Sequence, residues 1–196
     1  MHQKIVNTQN KLKRALIELI NTKGLNHFTV TDITEKAQIN RSTFYKHFQD
    51  KDALVEYFEN TLLDNVLKYF LQDVEECPNK PNLYHVIHQV INYVHIEFEL
   101  SKALLGPNGD PNFEKKVHHL LVEAINSDIL RLSRNHELNS QIPNDYIYEI
   151  LVAPIISIIK HWLTKEHPES PDEIFIIIMR MRLLSPYDLL NIQYQI

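Results

Sequence analysis

Thr29-Val30-Thr31-Asp32-Ile33, Ala37-Gln38-Ile39-Asn40-Arg41-Ser42-Thr43-Phe44-Tyr45-Lys46-His47-Phe48 and Asp50-Lys51-Asp52-Ala53-Leu54 follow one another within residues 12–58. They read as two short helices joined by a tight turn, then a third helix that opens on an aspartate. Val30, Ile33, Ala37, Ile39, Phe44 and Phe48 recur at spacings that turn them to one side, with Leu16 and Leu54 closing a small core. The residues left over are Thr31, Asn40, Arg41, Ser42, Thr43, Tyr45, Lys46 and His47, and each can donate a hydrogen bond. A basic, hydroxyl-rich outer face on an aromatic inner face is what a helix needs to lie in the major groove of DNA while anchored to a core.

Working outward, a first helix is expected from about residue 7 to residue 23. Leu12, Leu16, Leu19 and Ile20 form its apolar face, and Gly24 stands where a left-handed terminator belongs. Thr31 is expected to cap the next helix. Glu35 comes four residues later where a capping box wants three, so the cap is read as an ordinary one. Asn40 is expected to cap the recognition segment and Asp50 the helix after it, which turns Leu54, Phe58, Leu62, Val66 and Phe70 inward and fades near Pro78. Residues 77–82 (Cys-Pro-Asn-Lys-Pro-Asn) read as a linker.

A single helix is expected over residues 83–104, then a break at Gly106-Pro107-Asn108-Gly109-Asp110-Pro111. Asp110 as cap and Pro111 as first helical residue start the next helix, whose face is Phe113, Val117, Leu120, Leu121 and Ala124. After another break over residues 139–143, a helix over residues 144–165 is apolar on most sides and contains Pro154, which should bend it. Pro168-Glu169-Ser170-Pro171 separates it from a last long helix over residues 172–184. There is no internal repeat.

Composition agrees with an all-α chain. The 196 residues are 44% apolar and 23% charged, with three glycines. No apolar leader opens the sequence. The longest apolar stretch, residues 150–159, is shorter than the roughly 20 residues that cross a bilayer, so no membrane partner is expected and the cytoplasm is the default location. The single cysteine, Cys77, excludes an internal disulfide. The net charge of −5 conceals an asymmetry: residues 1–51 hold nine Lys and Arg against four Asp and Glu, and the remainder hold eleven against twenty-one. A basic head on an acidic body places any polyanion contact in the head. Arg41 is best placed to pair with a guanine. Tyr45, Lys46 and Lys51 read as phosphate contacts, and Thr31 near a helix amino terminus can take a phosphate as well.

These residues carry a resemblance. Thr29 to Leu54 resembles the amino-terminal signature of the tetracycline-repressor (TetR) family of transcription regulators, most specifically in Phe44-Tyr45-x-His47-Phe48-x-x-Lys51-x-x-Leu54. Leu104-Leu105-Gly106-x-Asn108-Gly109-Asp110-x-x-Phe113 and Ile158-Ile159-Lys160-x-Trp162-Leu163 are similar to the carboxy-terminal region of the TetR branch that includes the activator of dihydroxyacetone kinase genes. Three positions depart from the family pattern. Gln38 stands where the turn usually has glycine, at a cost of about 1 kcal/mol if positive φ is needed there. Thr34 stands where alanine is common, and Ser42 where glycine is common.

The resemblance implies a DNA-binding head, residues 1–50, and an all-helical body, residues 51–196, that senses an effector and dimerises through its last two long helices. The expected partners are double-stranded operator DNA, a second copy of the chain, and a small-molecule or protein effector. The residues support dimerisation independently. Ile147, Leu151, Ile155, Ile158, Ile159 and Trp162, with Ile174, Ile177, Ile178 and Met181, are more apolar surface than one helix pair hides. The alternative is one large monomer core. Tyr93, Phe98, Phe113, His161 and Trp162 are candidates for an effector pocket, and the plainer reading makes them ordinary core.

No enzyme, cofactor or metal is expected. The 11 histidines lack metal-site company: His85, His88 and His95 share one helix, with His88 and His95 about 10 Å apart along its axis. His118 and His119 diverge around theirs, and Cys77 has no activating neighbour. No phosphate-cradling glycine loop or nucleophile elbow occurs. Two rivals stand beside the regulator. One is a protein-binding co-regulator dimer with weak or no DNA affinity, motivated by Gln38 and the acidic body; the other is a helical ligand carrier or enzyme, for which no residue set supports catalysis.

Overall fold

The computed structural model describes residues 2–76, 83–133 and 142–190, and every regular element among them is a helix. In order these are α1 (His2–Lys23), a 3-10 turn (Leu25–His27), α2 (Val30–Ala37), α3 (Arg41–Tyr45), α4 (Lys51–Glu76), α5 (Leu83–Ile96), α6 (Phe98–Leu105), α7 (Pro111–Ser133), α8 (Asn144–Thr164), α9 (Pro171–Leu183) and α10 (Pro186–Leu189). The linker expected at residues 77–82 and most of the break expected at 139–143 lie outside the described residues. The chain forms two units, Met1–Asn65 with Glu97–Val117, and Val66–Ile96 with His118–Ile196. The boundary expected after Asp50 falls at the first residue of α4, whose first part stays in the first unit.

In the first unit α1 packs against α2 and α6. Leu12, Leu16, Leu19 and Ile20 are all buried, as are Ile33, Ala37, Phe44, Phe48, Leu54, Phe58 and Leu62. Val30 and Ile39 are half-buried. The turn after α6 is docked on the end of α1, where the Leu25 N–H donates to the Asn108 carbonyl at 2.9 Å. Gly109 is required in that turn, because a Cβ there would stand 2.1 Å from the Leu104 carbonyl oxygen. Asp110 caps α7 as its spacing predicts, accepting from the Asn112 N–H at 2.8 Å, and Pro111 is the first helical residue.

One ion pair ties α4 to α7. Glu59 is 1% exposed and its Oε2 accepts from Lys116 Nζ at 2.8 Å. Its Oε1 is buried without a hydrogen-bond partner. Burial pushes the Glu59 carboxyl above the usual carboxylate range, opposed by Lys116, while the bond to Glu59 raises the Lys116 ammonium.

The helix expected over residues 83–104 is two helices. The chain breaks at Glu97 (φ −99°, ψ 29°), whose carboxylate pairs with Lys13 on α1. Neither glycine nor proline marks the break. It is imposed by packing, since α5 lies on α9 in the second unit and α6 on α1 in the first. In the second unit α9 also packs on α8. Their core includes Val152, Ile156, Trp162, Leu163, Ile174 and Ile178. Ser170 caps α9 in a full capping box with Glu173, and Pro171 is its first residue. The apolar stretch of residues 150–159 belongs to the longer α8, which by length and composition alone is apolar enough to cross a bilayer. It carries Pro154 internally and runs as one half of the α8–α9 pair.

Candidate nucleic-acid interface

The interface is built from α2, the turn after it and α3. Thr29, not Thr31, caps α2. Its extended backbone lets Oγ1 accept from the Asp32 N–H, while the Asp32 carboxylate accepts from the Thr29 N–H at 2.8 Å. This is a capping box closed by aspartate where glutamate or glutamine is usual. The bond from Lys23, with those from Thr29, holds the Asp32 carboxyl far below the usual range. Thr31 therefore lies two residues past the cap, within the first turn of α2, and is exposed.

At the other end of α2 the Ile39 N–H donates to the Thr34 carbonyl at 3.0 Å and the Gln38 N–H to the Glu35 carbonyl at 3.1 Å. That pairing is a Schellman motif, and it puts Gln38 in the left-handed region at φ 53°, ψ 51°. Among the described residues Gln38 is the one non-glycine with positive φ. Thr34 is buried and its hydroxyl donates to the Thr31 carbonyl at 3.0 Å, so the departure from alanine leaves no polar group stranded.

Asn40 stands at the cap position of α3 in extended conformation. Its carbonyl accepts from the Thr43 N–H, and its side chain makes no capping bond. Phe44 and Phe48 turn inward, in ring contact at 5.9 Å. Arg41, Ser42, Tyr45, Lys46 and His47 turn outward and are exposed, and Thr43 is half-buried. The structure thus brings the expected outer face together on one side of α3 and its following turn. Lys46 makes no ion pair among the described residues, whereas Lys23 and Lys36 are held by Asp32 and Glu18. Lys51 is more committed than expected. Its Nζ donates to the Leu25 carbonyl at 2.9 Å and lies 5.2 Å from the Phe28 ring centre. Asp50 caps α4, accepting from the Ala53 N–H at 2.7 Å.

The residues expected to form an effector pocket are divided. Phe98 and Phe113 belong to the first unit; Tyr93, His161 and Trp162 belong to the second. His161 and Trp162 line a cavity of about 280 Å³ beside Ser157, Ile158, Glu169, Ile174 and Ile177. Trp162 is fully buried there, its indole N–H donating to the Glu169 carbonyl at 2.8 Å and its ring stacked on His95. Among the described residues no group of three or more His, Cys, Asp or Glu is disposed to hold a metal ion.

The residues expected at a dimer interface divide similarly. Ile174 and Ile178 lie in the unit's own interior, Ile147, Leu151, Ile155, Ile158, Ile159 and Met181 are half-buried, and Ile177 is exposed. The apolar side chains most exposed on this helix pair were not singled out by spacing: Tyr146 at 62%, Ile150 at 57%, Ile176 at 47% and Leu183 at 66%. A helix apolar all round gives no periodic clue to which face is left open.

Comparisons with known proteins agree with this architecture. Residues 13–58 match the family described as bacterial regulatory proteins, tetR family, and residues 81–183 match the transcriptional regulator C-terminal region. The uncharacterized HTH-type transcriptional regulator YxbF of Bacillus subtilis (strain 168) is 21% identical over 168 residues, which are 84% of this chain and 42% of that protein. YvdT of the same organism, described in the same terms, is 39% identical over 57 residues, 29% of each chain. The chain thus spans less than half the length of the curated relatives it matches.

Among solved structures, a TetR transcriptional regulator from Streptococcus agalactiae 2603V superposes with a TM-score of 0.64 at 20% identity, covering 92% of this chain and 96% of that one. The dihydroxyacetone kinase operon activator DhaS gives 0.60 at 17% identity over 90% and 94%. Thermus thermophilus FadR, a transcriptional repressor in complex with lauroyl-CoA, gives 0.58 at 18% over 89% and 93%. At these identities the likeness is one of fold.

Proposed function

The chain belongs to the TetR family of bacterial transcriptional regulators, and from that premise we propose that it is a homodimeric, effector-controlled regulator that reads a pseudo-palindromic operator with residues 1–50. The observation that carries this reading is the division of α3 and the turn after it: Phe44 and Phe48 are buried, while Arg41, Ser42, Tyr45, Lys46 and His47 stand exposed. Arg41 reads a base edge; Tyr45, Lys46, Thr31, Asn40, Thr43 and the polar hydrogens left on Lys51 hold the backbone. Two such heads about 34–36 Å apart read two half-sites one helical turn apart. The work is done in the cytoplasm, where the operator is.

The second copy is proposed to cover the open faces of α8 and α9. Tyr146 and Ile150 on α8 and Ile176, Ile177 and Leu183 on α9 are exposed, Ile147, Leu151 and Ile158 are half-buried, and a two-fold four-helix contact would bury them twice. The effector binds the second unit and acts through its differential affinity for two spacings of the heads. Lauroyl-CoA, held by the Thermus thermophilus FadR structure, is the first compound to test. The rival co-regulator reading draws on Gln38 and the acidic body; Gln38 takes up the left-handed conformation the turn requires, which leaves the acidic body as its motive.

The test is selection of duplexes from a randomised library by the full chain. A two-fold sequence is expected, bound with a log–log salt slope of about −0.9 per phosphate neutralised. A library that emerges unenriched, or binding indifferent to salt, would sink the proposal.

A further inference from the structure

We propose that Tyr45 is a positioning residue for sequence readout: it holds the Arg41 guanidinium in the orientation that pairs with a guanine and ties that orientation to the DNA backbone. The inference rests on the reading of α3 as the DNA-reading element. Its own observation is a contact within that element. Arg41 Nη2 donates to Tyr45 Oη at 3.3 Å, and the guanidinium carbon lies 5.8 Å from the centre of the Tyr45 ring. The two residues are four apart on one helical face, both exposed. The Tyr45 ring stands edge-on to Phe44 at 5.5 Å and 86°, and Phe44 is fully buried. The brace therefore runs from the core, through an aromatic edge, to a cation on the surface.

The hydrogen-bond inventory makes the arrangement useful. A guanidinium carries five N–H groups, and one Nη2 hydrogen is used on Tyr45. The other Nη2 hydrogen and those on Nη1 remain as a fork that matches O6 and N7 of guanine. Tyr45 Oη accepts from Arg41, and its own O–H is left to donate to a phosphate oxygen. One phenol then registers the backbone and sets the plane of the base-reading fork together. An exposed arginine without such a brace would lose more side-chain freedom on docking. Lysine in its place would have no plane to hold.

The experiment is a double-mutant cycle on the full chain, using the duplex selected by the wild-type protein and a copy with the contacted guanine replaced. The measured quantity is the ratio of the two affinities. Arg41→Ala is expected to lower the ratio roughly 5- to 150-fold, the range of one bidentate pair. Tyr45→Phe, which keeps the ring and deletes the hydroxyl, is expected to lower it severalfold in the wild-type background and to leave it unchanged in the Arg41→Ala background. Arg41→Lys is expected to lower the ratio while leaving the salt slope intact. A Tyr45→Phe protein that loses affinity equally for both duplexes would make Tyr45 a phosphate contact alone and overturn the proposal. So would equal losses of the ratio in the two backgrounds. A wild-type chain that selects no duplex would instead sink the DNA-binding reading itself, a result distinct from either.

Discussion

The head and the α8–α9 pair are both helical and both rich in apolar residues, yet they dispose of those residues differently. In the head one chain suffices: Leu16, Ile33, Phe44 and Leu54 are fully buried within the single chain. In the α8–α9 pair Val152, Ile174 and Ile178 are buried, but Tyr146, Ile150, Ile176 and Leu183 are left on the surface. We read those exposed side chains as the part of the pair that a further surface would cover. The head is finished as a monomer so that its polar face is free for another kind of molecule. The helix pair is unfinished, and a second copy of the same chain is proposed to complete it.

The largest effect should come from breaking the self-sufficient side. Phe44→Ala removes the ring on which Tyr45 and Phe48 rest and is expected to cost about 3–5 kcal/mol in urea unfolding. Sedimentation should find the association state unaltered. A change in association with this substitution would mean the two regions are not independent. On the other side, Ile150→Glu places a carboxylate among the exposed apolar residues of α8 and should weaken the proposed dimer roughly 100-fold, about 3 kcal/mol. Equilibrium sedimentation reads it directly. A wild-type chain that sediments as a monomer would remove the contrast altogether.

How far each region could be read in advance follows the same divide. Phe44 and Phe48 on one face and Arg41, Tyr45 and Lys46 on the other are a local pattern, and the Asp50 and Asp110 caps are local too. The structure has all of these as spacing predicts. Spacing points to Thr31 as the cap of α2, whereas Thr29 holds that position, because the box is closed by Asp32, a shorter acid than the usual pattern names. The break at Glu97 carries no turn residue, because tertiary packing of α5 and α6 on different helices makes it. The open side of α8 is invisible to periodicity in a helix with apolar residues nearly all round. Glu59 and Lys116 are 57 positions apart, and nothing local announces their pairing.

That pair sharpens the comparison inside the first unit, where a charge and not an apolar face is buried. Lys116→Met leaves the Glu59 carboxylate without its counter-ion. A fully buried pair would lose about 3–5 kcal/mol. Lys116 is 39% exposed, so about 2–3 kcal/mol is expected by thermal unfolding. The sign of the pH dependence follows from the raised Glu59 carboxyl. Its protonated form is the one the fold favours, so its contribution is complete below the ordinary glutamate range and is lost as pH rises through the raised value. Glu59→Gln, which cannot ionise, should therefore gain on the wild type across that rise and show a flatter profile. A Glu59→Gln profile that tracks the wild type throughout would mean Glu59 does not titrate in that window.

The smallest effect tests the turn on which the whole outer face depends. Gln38 holds a left-handed conformation that costs a residue with a Cβ about 1–2 kcal/mol, and the Schellman bonds from Gln38 and Ile39 keep it there. Gln38→Gly relieves that strain but enlarges the conformational freedom of the unfolded chain, which opposes the gain. The net expectation is a stabilisation of roughly 0.5–1 kcal/mol in urea unfolding, with operator affinity unchanged because glycine keeps the backbone path of the turn. Gln38→Ala is the control. Alanine keeps the Cβ and so keeps the strain, and its stability should lie near that of the wild type. If glycine and alanine proved equally stabilising, relief of left-handed strain could not be the cause, since alanine keeps the Cβ, and the turn would have to pass through Gln38 in some other conformation. If glycine alone stabilises, the head reaches its geometry against a small local penalty that its buried aromatic core outweighs several times over.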